Sequence, residues 1–200
     1  HGGLRSPIGV LNGQYKHMRP EKLGAQLIDE LMNRHAISQV DGIFCGNAVG
    51  TGGNIGRLMG LMSNLPNSVP AITVDMQCAS ALMSIEMAYT HIASGVMNSA
   101  IAGGIESSSL QPDRIYASSD DRDGCLTHDG AAFIYLSNKK GPFKIHSVMP
   151  WAGNPQFSPE GALESTEAIL KRTGLTMDDI DVVEWNEAFA IIDVLFNKAY

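Results

Sequence analysis

The chain has 200 residues, of which 44% are hydrophobic and 18% are charged, a composition typical of a globular protein and not of a disordered one. Its formal net charge of −7 at pH 7 and the lack of a Lys/Arg cluster argue against a nucleic-acid-binding protein, because phosphates are neutralised by such clusters. The sequence has no run of about 18 apolar residues, so no membrane span is predicted.

Helical and strand patterns alternate along the chain and predict an α/β layered fold with a mixed sheet. Apolar residues at helical spacing predict helices at residues 20–35, 55–65, 79–94, 162–172 and 188–199. Short β-branched or small apolar runs predict strands at residues 40–45, 71–75, 99–104, 131–137, 143–148 and 180–184. The strand, helix and strand between residues 71 and 104 would form a right-handed βαβ unit.

One continuous apolar face is predicted for the helix at residues 79–94. Its members recur at helical spacing and are Leu82, Ile85, Ala88, Tyr89 and Ile92. Gly95 is expected to end this helix, because glycine readily adopts the left-handed conformation of a C-terminal cap. The glycines between residues 46 and 53 lack the lysine of a phosphate-binding motif, so we interpret them as structural.

The three cysteines are Cys45, Cys78 and Cys125, and they lack the CxxC spacing of a zinc site. So sparse a set fits a reducing compartment, here the cytoplasm, and no metal site is predicted. Cys78 stands where a strand pattern changes to a helical one, and the unpaired N–H groups of a first helical turn favour the reactive thiolate. Most free cysteines are small buried hydrophobes, so the local pattern leaves both interpretations of Cys78 open. Cys45 is expected in the core and Cys125 is expected to be an ordinary loop thiol.

Several segments resemble motifs of the thiolase family and occur in the family's order. They are Gln-Cys-Ala-Ser-Ala-Leu at 77–82, Ala-Gly-Gly-Ile-Glu-Ser at 102–107 and Asn-Glu-Ala-Phe-Ala at 186–190. Shorter likenesses are Arg-Ser-Pro-Ile-Gly at 5–9, Asp-Gly-Ala-Ala at 129–132 and the stretch 174–184. One such match would be weak, but their order from residue 5 to residue 190 identifies the chain as a member of that family.

The resemblance implies a fold of α/β layers built from two similar halves. Residues 1–137 would be the N-terminal half with its loop domain short or missing, and residues 138–200 the truncated start of the C-terminal half. It also implies acyl transfer on coenzyme A thioesters, with no permanently bound cofactor and no metal. The partners would be acyl-CoA and further copies of the chain, in a homodimer or homotetramer with residues 71–75 as a candidate contact. Neither nucleic acid nor a membrane is expected as a partner.

By the same resemblance, Cys78 takes up the acyl group as a thioester, and Asn186 holds a water in the oxyanion hole. The alternative for Asn186 is a turn residue that bonds its own backbone. Phe189 would line the acyl pocket, or alternatively pack in a helix core. Glu187 is interpreted as a support of the turn. The implied reaction, part of fatty acid metabolism, is Claisen condensation or its reverse, thiolytic cleavage of a 3-ketoacyl-CoA.

Two functional elements of the family do not occur in these 200 residues. The family's base histidine lies in a Gly-His-Pro segment and its second cysteine lies near glycines, and neither pattern is found here. We therefore expect a truncated or incompletely represented thiolase. Two alternatives remain, a non-catalytic thiolase-like binding or assembly subunit and a condensing enzyme of the ketoacyl-synthase type. The Asn-Glu-Ala-Phe sequence favours a thiolase over the latter.

Overall fold

Six strands form one mixed sheet in the first part of the chain. The computed structural model describes residues 2–50, 53–111 and 128–200. Within these ranges, the residues up to Lys144 form one compact unit and residues 145–200 form another. The strands are β1 (Gly2–Arg5), β2 (Gly9–Val10), β3 (Ile43–Gly46), β4 (Ala71–Val74), β5 (Ser99–Ser107) and β6 (His128–Ser137). The helices of the first unit are α1 (Pro20–Arg34), α2 (Ile55–Met62) and α3 (Ser80–Ala93).

The strand order is β1-β6-β5-β3-β4, with β2 also pairing with β6. Strand β3 lies between β4 and β5 and is parallel to both, whereas β6 is antiparallel to β5, β1 and β2. The predicted mixed sheet is therefore confirmed. Strand β4 has β3 as its one neighbour among the described strands, and it forms an edge of the sheet.

The two faces of the sheet carry separate hydrophobic clusters, because successive side chains of a strand point to opposite faces. Ile43 and Cys45 of β3 belong to the cluster that packs against α1 and α2. Phe44 belongs to the other cluster, which includes Ala88 of α3. Helices thus cover both faces, with α3 on one side and α1 with α2 on the other.

Helix α3 is fixed to β5 through a buried serine. The Ser84 hydroxyl oxygen lies 2.7 Å from the Gly103 carbonyl oxygen and accepts a hydrogen bond from the Gly103 N–H at 2.9 Å. Gly103 has a φ of +155°, a conformation that residues with a side chain rarely adopt. The Ser84 hydroxyl lies equally close to the Ala81 carbonyl oxygen, at 2.7 Å, so the Gly103 and Ala81 carbonyls share its single proton.

A clasp of hydrogen bonds joins the end of β5 to the beginning of β6. The Ser108 hydroxyl donates to the His128 carbonyl at 3.0 Å. The Ser109 N–H donates to Oδ1 of Asp129 at 2.9 Å, and the Ser109 hydroxyl bonds to Oδ2 of the same carboxylate. The clasp, made by Ser108, Ser109, His128 and Asp129, holds residues 108–109 and 128–129 together.

The second unit is helical. It contains α4 (Gly161–Thr173), α5 (Ile191–Ala199) and short 3-10 helices at Pro155–Glu160 and Met177–Asp179. Helix α4 ends at Gly174, which is left-handed with a φ of +72°, as expected for a glycine cap. None of the described helices of either unit is long and apolar enough to cross a membrane.

Most predicted elements are confirmed with shifts of a few residues, and two predicted strands are wrong. Residues 143–148 and 180–184 are not strands, and Phe143 is 92% exposed. A strand needs a neighbouring strand to pair with, and the described residues of the second unit, which contains residues 180–184, include none. Helix α5 begins at Ile191 and not at residue 188. The short strands β1 and β2 were not predicted, because they contain too few residues to show an alternation of apolar and polar side chains.

The prediction for α3 is confirmed at its end and partly wrong along its face. Gly95 follows the helix with a φ of +77°, as expected of the residue that ends it. Ile85, Ala88 and Ile92 belong to the cluster between α3 and the sheet. Leu82, however, is 70% exposed, because the beginning of α3 approaches the sheet through smaller residues.

Candidate active site

Cys78 lies on the turn between the edge strand β4 and α3, at residues 75–79. Its thiol is free and exposed. The helix begins at Ser80, with Ala79 at the N-cap position, so the sulfur is carried immediately before the first helical turn. The predicted strand-to-helix junction is confirmed, and of the two interpretations of Cys78 the structure contradicts the buried one.

Gln77 gives this turn a strained backbone. Its φ is +50°, a region uncommon for residues other than glycine, and such strain persists where the surroundings hold it. The Asp75 carboxylate accepts a hydrogen bond from the Gln77 N–H at 3.0 Å. The buried Ser80 hydroxyl accepts from the Met76 N–H at 2.8 Å and donates to the Gln77 carbonyl at 2.6 Å. These side chains hold the turn in the form that exposes Cys78.

Two glycines let the beginning of α3 lie directly on the sheet. A Cβ atom on Gly46 would lie 2.5 Å from the Ala81 nitrogen, and one on Gly104 would lie 2.9 Å from the Ala81 Cβ. Gly46 is the last residue of β3, and it pairs with Gly104 of the parallel strand β5. The absence of side chains there permits the close approach, which brings Cys78 to the carboxyl edge of the sheet.

A carboxylate organises the loop after β3 at the same edge. The Asn47 N–H donates to the Val74 carbonyl at 3.0 Å, which joins this loop to the end of β4. Glu106 accepts from the Ala48 and Val49 N–H groups at 3.0 and 2.9 Å and from the Asn47 amide at 3.1 Å. No sequence pattern marks Ser80, Asn47 or Glu106 as a site residue, although Ser80 and Glu106 stand inside the motifs that carry the resemblance.

Cys45 differs from Cys78 in exposure, because its thiol is buried whereas that of Cys78 is exposed. It is fully buried in β3, as the sequence predicted. Burial, and secondarily the nearby Glu106 carboxylate, raises the pKa of its thiol from 9.0 to about 12. Cys45 is therefore a neutral core thiol near neutral pH. Cys125 lies outside the described residues.

Asn186 and Phe189 both lie on the irregular stretch before α5 in the second unit. Asn186 is exposed, and its side chain makes no hydrogen bond with any described residue, so nothing among them supports its interpretation as a turn residue that bonds its own backbone. Phe189 precedes the helix and is 47% exposed, which contradicts its alternative place in a helix core. Glu187 is also exposed.

Models of the thiolase N-terminal domain and of the thiolase C-terminal domain match residues 2–137 and residues 143–199, respectively. The chain belongs to the thiolase family. The "Putative acetyl-CoA C-acetyltransferase YhfS" of Bacillus subtilis is 44% identical over 108 residues, which cover 54% of this chain and 29% of that protein. The "Putative acetyl-CoA C-acetyltransferase VraB" of Staphylococcus aureus (strain COL) is 39% identical over 113 residues, which cover 56% of this chain and 30% of that protein.

Comparison with solved structures also finds a thiolase-like fold. The crystal structure of the Bacillus anthracis acetyl-CoA acetyltransferase superposes with a TM-score of 0.55 at 26% identity, covering 62% of this thiolase chain and 34% of that one. The predicted thiolase-like α/β fold is therefore confirmed. The matched stretches amount to about a third of each relative's length.

Proposed function

We propose that this thiolase is an acyl-CoA C-acyltransferase that works through a thioester on Cys78. The observation that carries the proposal is the exposed Cys78 thiol on the strained turn at the beginning of α3. A cysteine thiolate is an effective nucleophile, and a covalent intermediate divides acyl transfer into two easier steps. The proposed domain division places residues 1–137 in the N-terminal half and residues 138–200 in the C-terminal half.

In the first half-reaction, the Cys78 thiolate attacks the thioester carbonyl of acyl-CoA. The new carbon–sulfur bond converts the carbonyl into a tetrahedral oxyanion, which free N–H groups of the first turn of α3 would stabilise. The oxyanion collapses and expels coenzyme A as its thiolate, which then takes up a proton. The acyl group remains on the Cys78 sulfur.

In the second half-reaction, a base takes a proton from the α-carbon of a second acyl-CoA and afterwards returns it to the departing Cys78 thiolate. The resulting carbanion attacks the Cys78 thioester, a carbon–carbon bond forms, and the Cys78 thiolate leaves. In the reverse direction, coenzyme A cleaves a 3-ketoacyl-CoA. Asn186 would hold a water that donates to the enolate oxygen, and its neutral amide suits this role because it polarises without changing protonation state. Phe189 would line the acyl pocket.

The substrates would be coenzyme A thioesters, and this chemistry requires neither a metal nor a permanently bound cofactor. The described residues contain no group of three or more side chains able to hold a metal ion. Three cysteines without CxxC spacing support a reducing compartment, which we propose is the cytoplasm. Fatty acid metabolism is the proposed setting, because it uses condensation and thiolysis of acyl-CoA.

The proposal is tested by incubating the full-length protein with acetyl-CoA and measuring its intact mass. We expect one acetyl group per chain, and peptide mapping should place it on Cys78. Cys45 is the internal control, since a buried thiol with a pKa of about 12 should remain unmodified. If the protein acquires no acetyl group, the non-catalytic thiolase-like subunit becomes the better assignment.

We further propose that two copies of the chain associate through β4. This strand is an edge of the sheet, and its Ile72 is 43% exposed. Exposed edge strands readily pair with another chain, and a lysine on the edge opposes that pairing. Ile72→Lys is therefore expected to shift the protein toward monomer in light-scattering measurements of mass. Val96→Lys, at another exposed apolar residue of this unit, is the matched control. A wild-type monomer, or an unchanged mass for Ile72→Lys, would contradict the proposal.

A further inference from the structure

The stretch that carries Asn186 lacks the hydrogen bonds that normally fix a backbone. Residues 182–187 belong to no helix or strand. Among the described residues, no backbone–backbone hydrogen bond includes any residue of this stretch. An asparagine that must hold a water at a reacting atom needs a defined position, so its anchor has to be a side chain.

Trp185 provides that anchor. Its indole stacks on the Phe196 ring with centroids 4.3 Å apart and an interplanar angle of 19°. Phe196 lies on α5 and is 5% exposed. The Tyr200 ring also packs against it, with the two ring centroids 5.0 Å apart. The residues on either side of Trp185 in the chain, Glu184 and Asn186, are both exposed. Trp185 thus turns inward and joins this stretch to α5.

We propose that Trp185 is a positioning residue for Asn186, through its stack on Phe196. The inference rests on the proposed role of Asn186 in the second half-reaction. Because Asn186 is the next residue in the chain, the stack limits where its amide lies. The ring contact, and not the indole N–H, carries this effect: Nε1 is buried without a hydrogen-bond partner among the described residues.

The experiment separates the two half-reactions in the full-length protein. Trp185→Met keeps apolar bulk but removes the ring, and displacing a reacting group by about 1 Å lowers a rate by about a hundredfold. We expect kcat for condensation or thiolysis to fall by about ten- to a hundredfold, with KM for acyl-CoA changed by less than about threefold. Acetylation of Cys78 should proceed at the wild-type rate.

Matched variants distinguish positioning from general destabilisation. Trp185→Phe keeps a ring against Phe196 and should recover kcat to within about threefold of the wild type. Trp151→Met is the control, because Trp151 is a partly exposed tryptophan of the same unit whose indole N–H donates to Glu164. Phe196→Leu removes the opposite ring of the stack and should reproduce the Trp185→Met kinetics. In an Asn186→Ala background, Trp185→Met should lower kcat no further.

Three results would overturn the inference. The first is a wild-type rate of condensation for Trp185→Met. The second is an equal loss in the rates of Cys78 acetylation and of condensation, which would indicate a general effect on the fold. The third is a full further loss of kcat in the Asn186→Ala background. A wild-type protein that acquires no acetyl group on Cys78 contradicts the proposed function itself, so the two failures are distinguishable.

Discussion

The Cys78→Ala variant is expected to lose condensation and thiolysis by about ten-thousandfold or more in kcat, because it lacks the atom that accepts the acyl group. Its fold should be unaffected, since the side chain is exposed and such substitutions change the free energy of unfolding by about 0.5 kcal/mol or less. Steady-state assays together with chemical denaturation measure both quantities.

Two further variants sharpen this result. Cys78→Ser keeps the shape of the side chain but replaces the thiol by a hydroxyl, which is a much weaker nucleophile without an adjacent base, so its kcat should be similarly low. Ser94→Ala, at the exposed end of α3, is the control and should retain full activity. Substantial activity in Cys78→Ala would show that another group carries the acyl chain.

The largest effect on stability is expected from Gly103→Ala. A Cβ atom there would fall on the Ala132 carbonyl oxygen and lie 2.8 Å from the Phe133 Cα, and the φ of +155° adds strain. These atoms belong to the backbone of β6 and cannot move without breaking the pairing between β5 and β6. We expect a loss of about 4 kcal/mol or more, a large part of the total stability of a domain.

Chemical denaturation of Gly103→Ala against the wild type measures this loss, and insoluble expression would be its extreme form. Gly161→Ala is the matched control, because a Cβ atom at the beginning of α4 would meet nothing within 4 Å. That change should alter stability by about 1 kcal/mol or less, in the stabilising direction. A denaturation midpoint for Gly103→Ala equal to that of the wild type would contradict the described path of β5.

The part of the fold that the sequence predicts well is the part where local pattern and tertiary environment agree. Helix α1 begins at Pro20, as its proline indicates, and α3 is followed by Gly95 in the expected left-handed conformation. Strands β3, β4 and β5 lie within or overlap the predicted runs. The apolar residues of β3 and β5 are buried between helices on both faces. The position of Cys78 at the junction followed from the same patterns.

What the sequence does not predict depends on contacts between distant residues or on single backbone angles. The strand predicted at residues 180–184 has the right residue types, but the described part of its unit offers no neighbouring strand. The roles of Ser80 and Asp75 depend on the left-handed φ of Gln77, which no pattern marks. The stack joins Trp185, on an irregular stretch, to Phe196 of α5, which lies eleven residues later, and no periodicity indicates it.

The clasp between Ser108–Ser109 and His128–Asp129 has a consequence for how this family can diversify. The chain leaves β5 and returns to β6 at one hydrogen-bonded point. The pairing of β5 with β6 therefore does not depend on the number of residues between these two positions. The entropy of closing such an insertion grows only with the logarithm of its length, by about 0.6 kcal/mol for each doubling. The segment between residues 109 and 128 is therefore a position where evolution can lengthen, shorten or exchange sequence while the strands and helix that carry Cys78 keep their arrangement.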